Sequence, residues 1–339
     1  MKCKKCVMFL KFISFFLPSW TSAAKSTQVI AHRGAAGYIV EHTAPALAMA
    51  AAMGADFIEP DVVVSKDGVL MVFHDIVLDH TCDVAKKFLH RKRNDGKYYV
   101  MDFTYAELKS LRVHERFAHT EMKKRFPQDA AQFEMLSLEE WLGIVKGLEV
   151  SVQRPLGKIF ELKEPKFHRQ HGYDMLALFA DFLRKHNLNH VSPQIYVECF
   201  EPTALVELAQ VHGVVANLVQ LMSLASEWHQ PGQSSPADYT WMQTDEGLRS
   251  VKSYAMAIAP SLAMLYEHKE VGTIISRELS SRARKHGLKV FPYTVRKDAL
   301  PQGFQDLEQI HRFLVVDEKV DGFFTDFPDL AVAYLARLK

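Results

Sequence analysis

Ile58-Glu59-Pro60-Asp61-Val62-Val63-Val64-Ser65-Lys66-Asp67-Gly68-Val69-Leu70-Met71-Val72-Phe73-His74-Asp75 carries two apolar runs around an Asp-Gly pair, with ionisable residues gathered at the outer ends. Asp-Gly between apolar runs is a strong hairpin signal. Taken as a two-residue loop, it sets Lys66 opposite Val69, Val64 opposite Met71 and Asp61 opposite His74. Directly paired residues point to one face, and Glu59 shares it with Asp61 through the two-residue alternation of a strand. One turn thus brings two carboxylates and an imidazole together. A slip of one residue would send each strand's set to the other face. The valine-rich runs read as buried on both sides, so a hairpin with a solvated, charged outer face is the weaker reading.

A second run, Val29-Ile30-Ala31, ends in His32-Arg33-Gly34, and a third, Ile159-Phe160, leads into Glu161-Leu162-Lys163. Glu59, Asp61 and Glu161 form an all-oxygen donor set without clustered Cys or His, which favours Ca²⁺ or Mg²⁺ over Zn²⁺. Buried together, three carboxylates need a cation. Glu161 and Lys163 lie two apart and share a face. Lys163 offers a phosphate oxygen a point charge, and Arg33 offers a planar fork. His32 and His74, both at strand ends, suit general acid–base chemistry near neutral pH. The other fourteen of the 16 histidines read as structural. Among them, His168 and His171 are candidates for the rim of the site. This toolkit of an acid/base pair, an anion clamp and a hard-metal site is suited to cleaving a phosphodiester.

In order, Val29-Ile30-Ala31-His32-Arg33-Gly34-Ala35, Glu41-His42-Thr43, Gly54-Ala55-Asp56, Glu59-x-Asp61, Lys66-Asp67, His74-Asp75, Glu161-Leu162-Lys163-Glu164-Pro165, Cys199-Phe200, Pro292-Tyr293-Thr294-Val295-Arg296 and Phe324-Thr325-Asp326-Phe327-Pro328-Asp329 resemble a glycerophosphodiester phosphodiesterase, most closely the periplasmic bacterial type. The resemblance runs from about residue 28 to the C-terminus. Three positions depart from it: Val40 where proline is common, Glu198 where a neutral polar residue is usual, and Phe291 where some members carry histidine. The resemblance implies a variant TIM barrel, of α/β class, with a small, mainly helical insertion. It also implies one divalent cation and hydrolysis of deacylated phospholipids, such as glycerophosphocholine and glycerophosphoethanolamine, to sn-glycerol 3-phosphate and an alcohol. His32 is favoured as base and His74 as acid, and the sequence leaves the reverse open. The nucleophile is either the glycerol 2-hydroxyl or water. Glu41 is expected to orient groups around the metal or His32. Phe200, Phe291 and Tyr293 are expected either to wall the pocket or to fill the core.

The pattern of elements agrees. Apolar strand-like runs fall at 28–32, 56–64, 69–74, 158–162, 194–199, 216–222, 255–259, 288–294 and 321–325, with helix-like segments between many of them. Such alternation, with functional groups at strand C-terminal ends, is the signature of a β/α barrel. Thr43 as N-cap, Pro45 in the first turn and Gly54 as stop mark the first helix. A hairpin at 56–74 is irregular for such a barrel, whose parallel neighbours need long crossovers. Residues about 80–136 break the rhythm and read as the insertion. Its basic runs Lys86-Lys87, Arg91-Lys92-Arg93 and Lys123-Lys124-Arg125 read as a solvated face and not a nucleic-acid surface, since the net charge is +1 and no binding motif is present. The stretch 228–240 reads as a loop.

Lys2, Lys4 and Lys5, an interrupted apolar stretch from Val7 to Pro18 and Ser22-Ala23-Ala24 read as a signal peptide over 1–24. The chain is therefore expected to be exported, periplasmic or secreted, without stable membrane insertion after cleavage. About 315 residues then remain, a common size for an elaborated TIM barrel. Cys82 and Cys199, in unrelated segments, read as free thiols. The composition, 48% hydrophobic and 24% charged, is that of an ordinary globular protein. The expected partner is a small-molecule glycerophosphodiester; the oligomeric state stays open, a homodimer included. Three competing readings are a phospholipase on the same barrel acting on intact or lyso-lipids, a non-catalytic binding protein, and a nuclease using the basic insertion.

Overall fold

The computed structural model describes residues 27–117, 125–128, 130–227 and 237–338. The expected signal peptide, Lys123-Lys124 and most of the 228–240 loop lie outside these residues. Thirteen strands are described: β1 (Gln28–Ala31), β2 (Phe57–Ile58), β3 (Asp61–Val64), β4 (Leu70–Val72), β5 (Leu136–Ser137), β6 (Gly157–Leu162), β7 (Ile195–Cys199), β8 (Asn217–Met222), β9 (Ala257–Pro260), β10 (Tyr266–His268), β11 (Ile274–Ser276), β12 (Lys289–Val290) and β13 (Gly322–Thr325). Parallel pairing runs β12-β9-β8-β7-β6-β2-β1-β13. The ring closes where Asp321 N donates to Val290 O (3.1 Å) and Phe324 N to Pro292 O (3.0 Å). This is the expected TIM-type barrel, with helices between strands.

Strand alternation builds two cores. Ile30, Phe57, Ile159, Tyr196, Val219, Leu221, Ala257, Ala259, Phe291 and Phe324 fill the barrel interior. Their sequence neighbours Val29, Ala31, Ile58, Phe160, Val197 and Ile258 face the helices. The same two-residue step carries Glu161 and Glu198 onto the inner face, two residues beyond Ile159 and Tyr196. The first helix, α1 (Ala44–Ala52), follows Thr43 as expected and stops before Gly54, whose φ is +88°. The Thr43 hydroxyl does not cap it; it turns back and donates to Val40 O (2.7 Å).

The hairpin is real, but its register differs by one residue from the two-residue loop. Val62 pairs with Val72, Val63 with Met71 and Val64 with Leu70. Phe73 N donates to Asp61 O (3.0 Å), so Asp61 faces Phe73 and not His74. The loop holds three residues, Lys66-Asp67-Gly68, closed by Ser65 N to Val69 O (2.9 Å). Ser65 Oγ accepts from Val69 N (2.9 Å) and donates to Asp67 (2.7 Å), and Gly68 takes the left-handed φ of +79° that ends such loops. Pro60 divides the 56–64 run, so β2 and β3 lie against β6 in succession. Asp61 and Glu161 are direct partners in that pairing.

Between β4 and β5 the chain builds a second small core, in which Leu78, Val84, Tyr98, Val100, Phe103, Leu108 and Val113 pack on Val63, Met71 and Phe73. Its regular elements are short helices, Val84–Lys87, the 3₁₀ turn Val100–Asp102 and Tyr105–Ser110, the last held by a Thr104/Glu107 capping box. Arg91 pairs with Glu107 (2.8 Å) and Arg93 with Asp102 (2.7 Å), so this basic run is largely neutralised within the insertion. Cys82 and Cys199 are buried, free thiols. Among the described residues no helix is long and apolar enough to cross a membrane.

Candidate active site

At the end of β1 the chain turns sharply. His32 N is tied to Thr325 O (3.1 Å), Arg33 takes φ +59° and Gly34 φ +85°. A Cβ on Gly34 would come within 2.8 Å of the Ala46 backbone, so only glycine fits there. The turn delivers Arg33 N to Glu59 Oε2 (2.7 Å), and with it the guanidinium to the acidic cluster.

Glu59, Asp61 and Glu161 are buried, and one ligand oxygen from each lies within 4.8 Å of the others. Burial, and then Asp61, Glu161 and Glu198, push the Glu59 carboxyl well above the usual carboxylate range. Burial, with Asp61 adding to it against Lys163, raises Glu161 to about 8. Burial also works against the charge of Asp61, but Lys163, His74, Arg33 and a hydrogen bond from His42 overcome it and hold Asp61 well below its ordinary value. Glu59 Oε1 and Asp61 Oδ1 are buried without a hydrogen-bond partner. Oxygen donors that repel one another and keep lone pairs unused fit a hard divalent cation; Glu59, Asp61 and Glu161 are the residues that would hold it.

The two strand-end histidines have matching supports. His32 donates from Nδ1 to Asp326 Oδ1 (2.7 Å), and His74 from Nδ1 to Asp75 Oδ1 (2.5 Å). Nε2 is then the accepting nitrogen in each neutral ring. Burial, then Arg33, lowers His32 to about 4, against the opposing pull of Asp326. Burial, Arg33 and Lys163 lower His74 to about 3. Both rings are therefore neutral at pH 7. His32, Arg33, His74, Glu161, Lys163, Phe200 and Tyr293 line one cavity of about 680 Å³.

The phosphate-binding candidates carry additional partners. Arg33 contacts Glu41 (3.0 Å) and Asp61 (3.3 Å), and Lys163 contacts Glu161 (2.5 Å). Glu41 reaches neither the acidic cluster nor His32; it lies between Arg33 and Arg116 (2.7 Å) because the turn after β1 carries it toward the insertion. Phe200 and Tyr293 wall the cavity with ring centroids 6.1 Å apart, Tyr293 fixed by its hydroxyl on Met222 O (2.9 Å), while Phe291 belongs to the barrel core. Neither His168 nor His171 lines the cavity. His168 is buried against the Phe167 ring with neither ring nitrogen hydrogen-bonded, and exposed His171 lies on Phe167 O (2.8 Å).

Three groups, His42, Arg116 and Arg125, escaped the sequence reading, and a fourth, Glu198, was marked there only as a departure and lines the cavity. His42 donates to Asp61 Oδ2 (2.7 Å) and is not one of the structural histidines; its place in Glu41-His42-Thr43, directly after the His32-Arg33 turn, was the available signal. Glu198 is the register partner of Glu161, buried, with Oε2 unpartnered. Arg116 and Arg125 come from the insertion and bind Asp75 and Asp326, each at 2.7 Å.

Known proteins place this geometry. The model of the glycerophosphoryl diester phosphodiesterase family matches residues 32–330. The chain belongs to this family. It is accordingly a phosphodiesterase, an enzyme of a metal-dependent family. It is 36% identical over 329 residues to a glycerophosphodiester phosphodiesterase of Haemophilus influenzae, covering 92% of this chain and 90% of that one. It is 33% identical to one of Treponema pallidum, covering 93% of each. Among solved structures, a glycerophosphodiester phosphodiesterase of Agrobacterium tumefaciens shares the fold at TM-score 0.60 and 21% identity, over 91% of this chain and 99% of that one. A phosphodiesterase of Oleispira antarctica, solved with its product sn-glycerol-3-phosphate, does so at TM-score 0.60 and 19% identity, over 91% and 96% of the chains.

Proposed function

We propose that this phosphodiesterase hydrolyses soluble glycerophosphodiesters, such as glycerophosphocholine and glycerophosphoethanolamine, to sn-glycerol 3-phosphate and an alcohol. The observation that carries the reading is one cavity holding two carboxylate-oriented, neutral histidines beside an acidic cluster and two fixed cations. A divalent cation, Ca²⁺ before Mg²⁺, held by Glu59, Asp61 and Glu161, would offset phosphate charge as a Lewis acid. Arg33 and Lys163 clamp the phosphodiester oxygens. His32, neutral with Nε2 accepting, takes the proton from the nucleophile, either water, which gives the products directly, or the glycerol 2-hydroxyl, which gives a cyclic phosphate that water then opens to glycerol 3-phosphate. His74 delivers a proton to the leaving alcohol. Burial, and then Arg33, depresses the proton affinity of both rings, and a bound phosphodiester anion offsets the Arg33 part of that effect, which favours the proton that His74 delivers. The signal-peptide pattern of residues 1–24 supports export to the periplasm or beyond.

The test is release of glycerol 3-phosphate from glycerophosphocholine in Ca²⁺, in Mg²⁺ and in chelator, by wild type, His32→Ala and His74→Ala. Metal-dependent release abolished by either substitution is expected. Near-full activity in a histidine variant would refute the acid–base roles. Release in none of the conditions would shift the reading to a lipid substrate or a binding role.

A further inference from the structure

The two histidine–carboxylate pairs do not stand alone. Asp75 uses Oδ1 for His74 and Oδ2 for Arg116 Nη1 (2.7 Å). Asp326 uses Oδ1 for His32 and Oδ2 for Arg125 Nη2 (2.7 Å), with Arg296 Nε on the same oxygen (2.8 Å). In each pair one carboxylate oxygen holds the imidazole and the other is held by a guanidinium. Both Arg116 and Arg125 belong to the insertion, outside the β/α repeat. Asp326 lies 201 residues from Arg125 in sequence, and Asp75 lies 41 residues from Arg116.

A carboxylate anchored by one oxygen alone can swing about its χ2 bond, and its imidazole swings with it. A guanidinium on the second oxygen fixes the carboxylate plane and keeps the group ionised. The arginines are themselves anchored. Arg116 also grips Glu41 (2.7 and 3.2 Å), which supports Arg33 from its other side (3.0 Å). Arg125 is buried, takes both oxygens of Asp298 (2.7 and 3.1 Å), donates to Ala36 O (3.3 Å) and lies over the Phe117 ring at 4.7 Å. Side chains tied at so many points are a poor fit to a solvated basic surface and a good fit to preorganisation of a site.

We propose that the insertion is part of the catalytic apparatus: Arg116 and Arg125 are positioning residues that lock the carboxylate partners of His74 and His32, one arginine of the insertion per histidine, with Arg296 of the barrel sharing Asp326. The proposal rests on the acid–base roles given above. Lysine's compact ammonium lacks the planar fork that spans two carboxylates, so Arg116→Lys and Arg125→Lys should each lower kcat by about 10²-fold, the scale of a roughly 1 Å misplacement, with KM for glycerophosphocholine moving less than about twofold.

Pairing within branches tests the assignment. Combined with Asp75→Asn, Arg116→Lys should cost little beyond the worse single change. Combined with Asp326→Asn, its loss should multiply, because the branches are separate. Arg125→Lys should show the mirror pattern. A merely structural role would lower thermal stability without this branch-specific coupling. The proposal is overturned by wild-type kcat in both arginine variants, by a loss carried in KM (the arginines then act on phosphate binding, directly or by way of Glu41 and Arg33), or by losses that multiply within a branch. Should Arg125→Lys fail to fold, the Arg116 branch decides the matter alone. His32→Ala and His74→Ala run in the same assay separate the two readings. Active histidine variants refute the acid–base roles, whereas inactive ones beside fully active arginine variants refute only this proposal.

Discussion

In chelator, the protein should lose stability as the pH rises through neutrality, the reverse of the behaviour of a salt-bridged carboxylate. Glu161, raised from 4.5 to about 8 chiefly by burial, is the source. The folded state keeps a proton on Glu161 that the unfolded chain has already released. Its contribution is fully present below about 4.5 and is lost as the pH climbs through about 8, because the native state binds more protons over that range. The buried histidines act oppositely. His32 at about 4 and His74 at about 3 lie below their ordinary 6.5, so the unfolded chain binds the extra protons there, and their effect fades above about 6.5. The window from pH 6.5 to 8 therefore isolates the carboxylates. One proton over that interval is worth about 2 kcal/mol at 1.36 kcal/mol per pH unit. At about 2.1 cal/mol/K per residue, 339 residues give an unfolding entropy of about 0.7 kcal/mol/K, so Glu161 alone should lower Tm by about 3 °C. Glu59 and Glu198, raised well above the carboxylate range mainly by burial, push the same way. The assay is thermal unfolding at pH 6.5 and 8.0, in chelator and in saturating Ca²⁺, for wild type and Glu161→Gln. The fall with pH should be reduced in Glu161→Gln and in Ca²⁺, where the cation takes over the protons' role, leaving the part due to Glu115 and Glu201, each pushed up to about 7 chiefly by burial. A Tm in chelator that is flat or rises from pH 6.5 to 8.0 would refute the reasoning.

Glu59→Gln or Asp61→Asn should weaken Ca²⁺ binding first, with activity partly restored by more metal; unchanged calorimetric affinity would remove either residue from the donor set. His42→Ala deprives Asp61 of its 2.7 Å hydrogen bond and should lower Ca²⁺ affinity about 10-fold or more, as loss of a ligand-orienting group does, while KM at saturating Ca²⁺ stays near wild type. Glu198→Gln removes a buried acid whose Oε2 has no partner. It should raise the Tm in chelator at pH 8 while Ca²⁺ adds less stability than in wild type; a lowered Tm would show that the carboxyl makes a stabilising contact that the amide cannot.

The legible part of this protein was the part encoded within about twenty residues. The strand alternation that placed Ile159 inside the barrel also placed Glu161, and the apolar runs at 28–32, 158–162 and 321–325 match β1, β6 and β13. The hairpin shows where local reading ends. Asp67-Gly68 signals a turn, but the Ser65 hydroxyl adds a third loop residue and shifts every pair by one. The acidic cluster survives the shift because a different pairing, Asp61 with Glu161, assembles it.

Arg116 and Arg125 were illegible for a different reason. A basic residue's type says what it can bind, and only the tertiary fold says which carboxylate it meets. Lys123-Lys124-Arg125 looks uniform in sequence, yet Arg125 is buried against Asp326 and Asp298. Arg91 and Arg93, in an equally basic run, close on acids of the insertion itself. A cluster of positive charge therefore carries two meanings, solvated surface or anchored support. What separates them is a count of acceptors around each guanidinium, and that count does not exist until the insertion has folded back onto the barrel mouth. If Arg116→Lys and Asp75→Asn prove non-additive in kcat, the insertion's contribution lies in those few contacts and not in its overall charge.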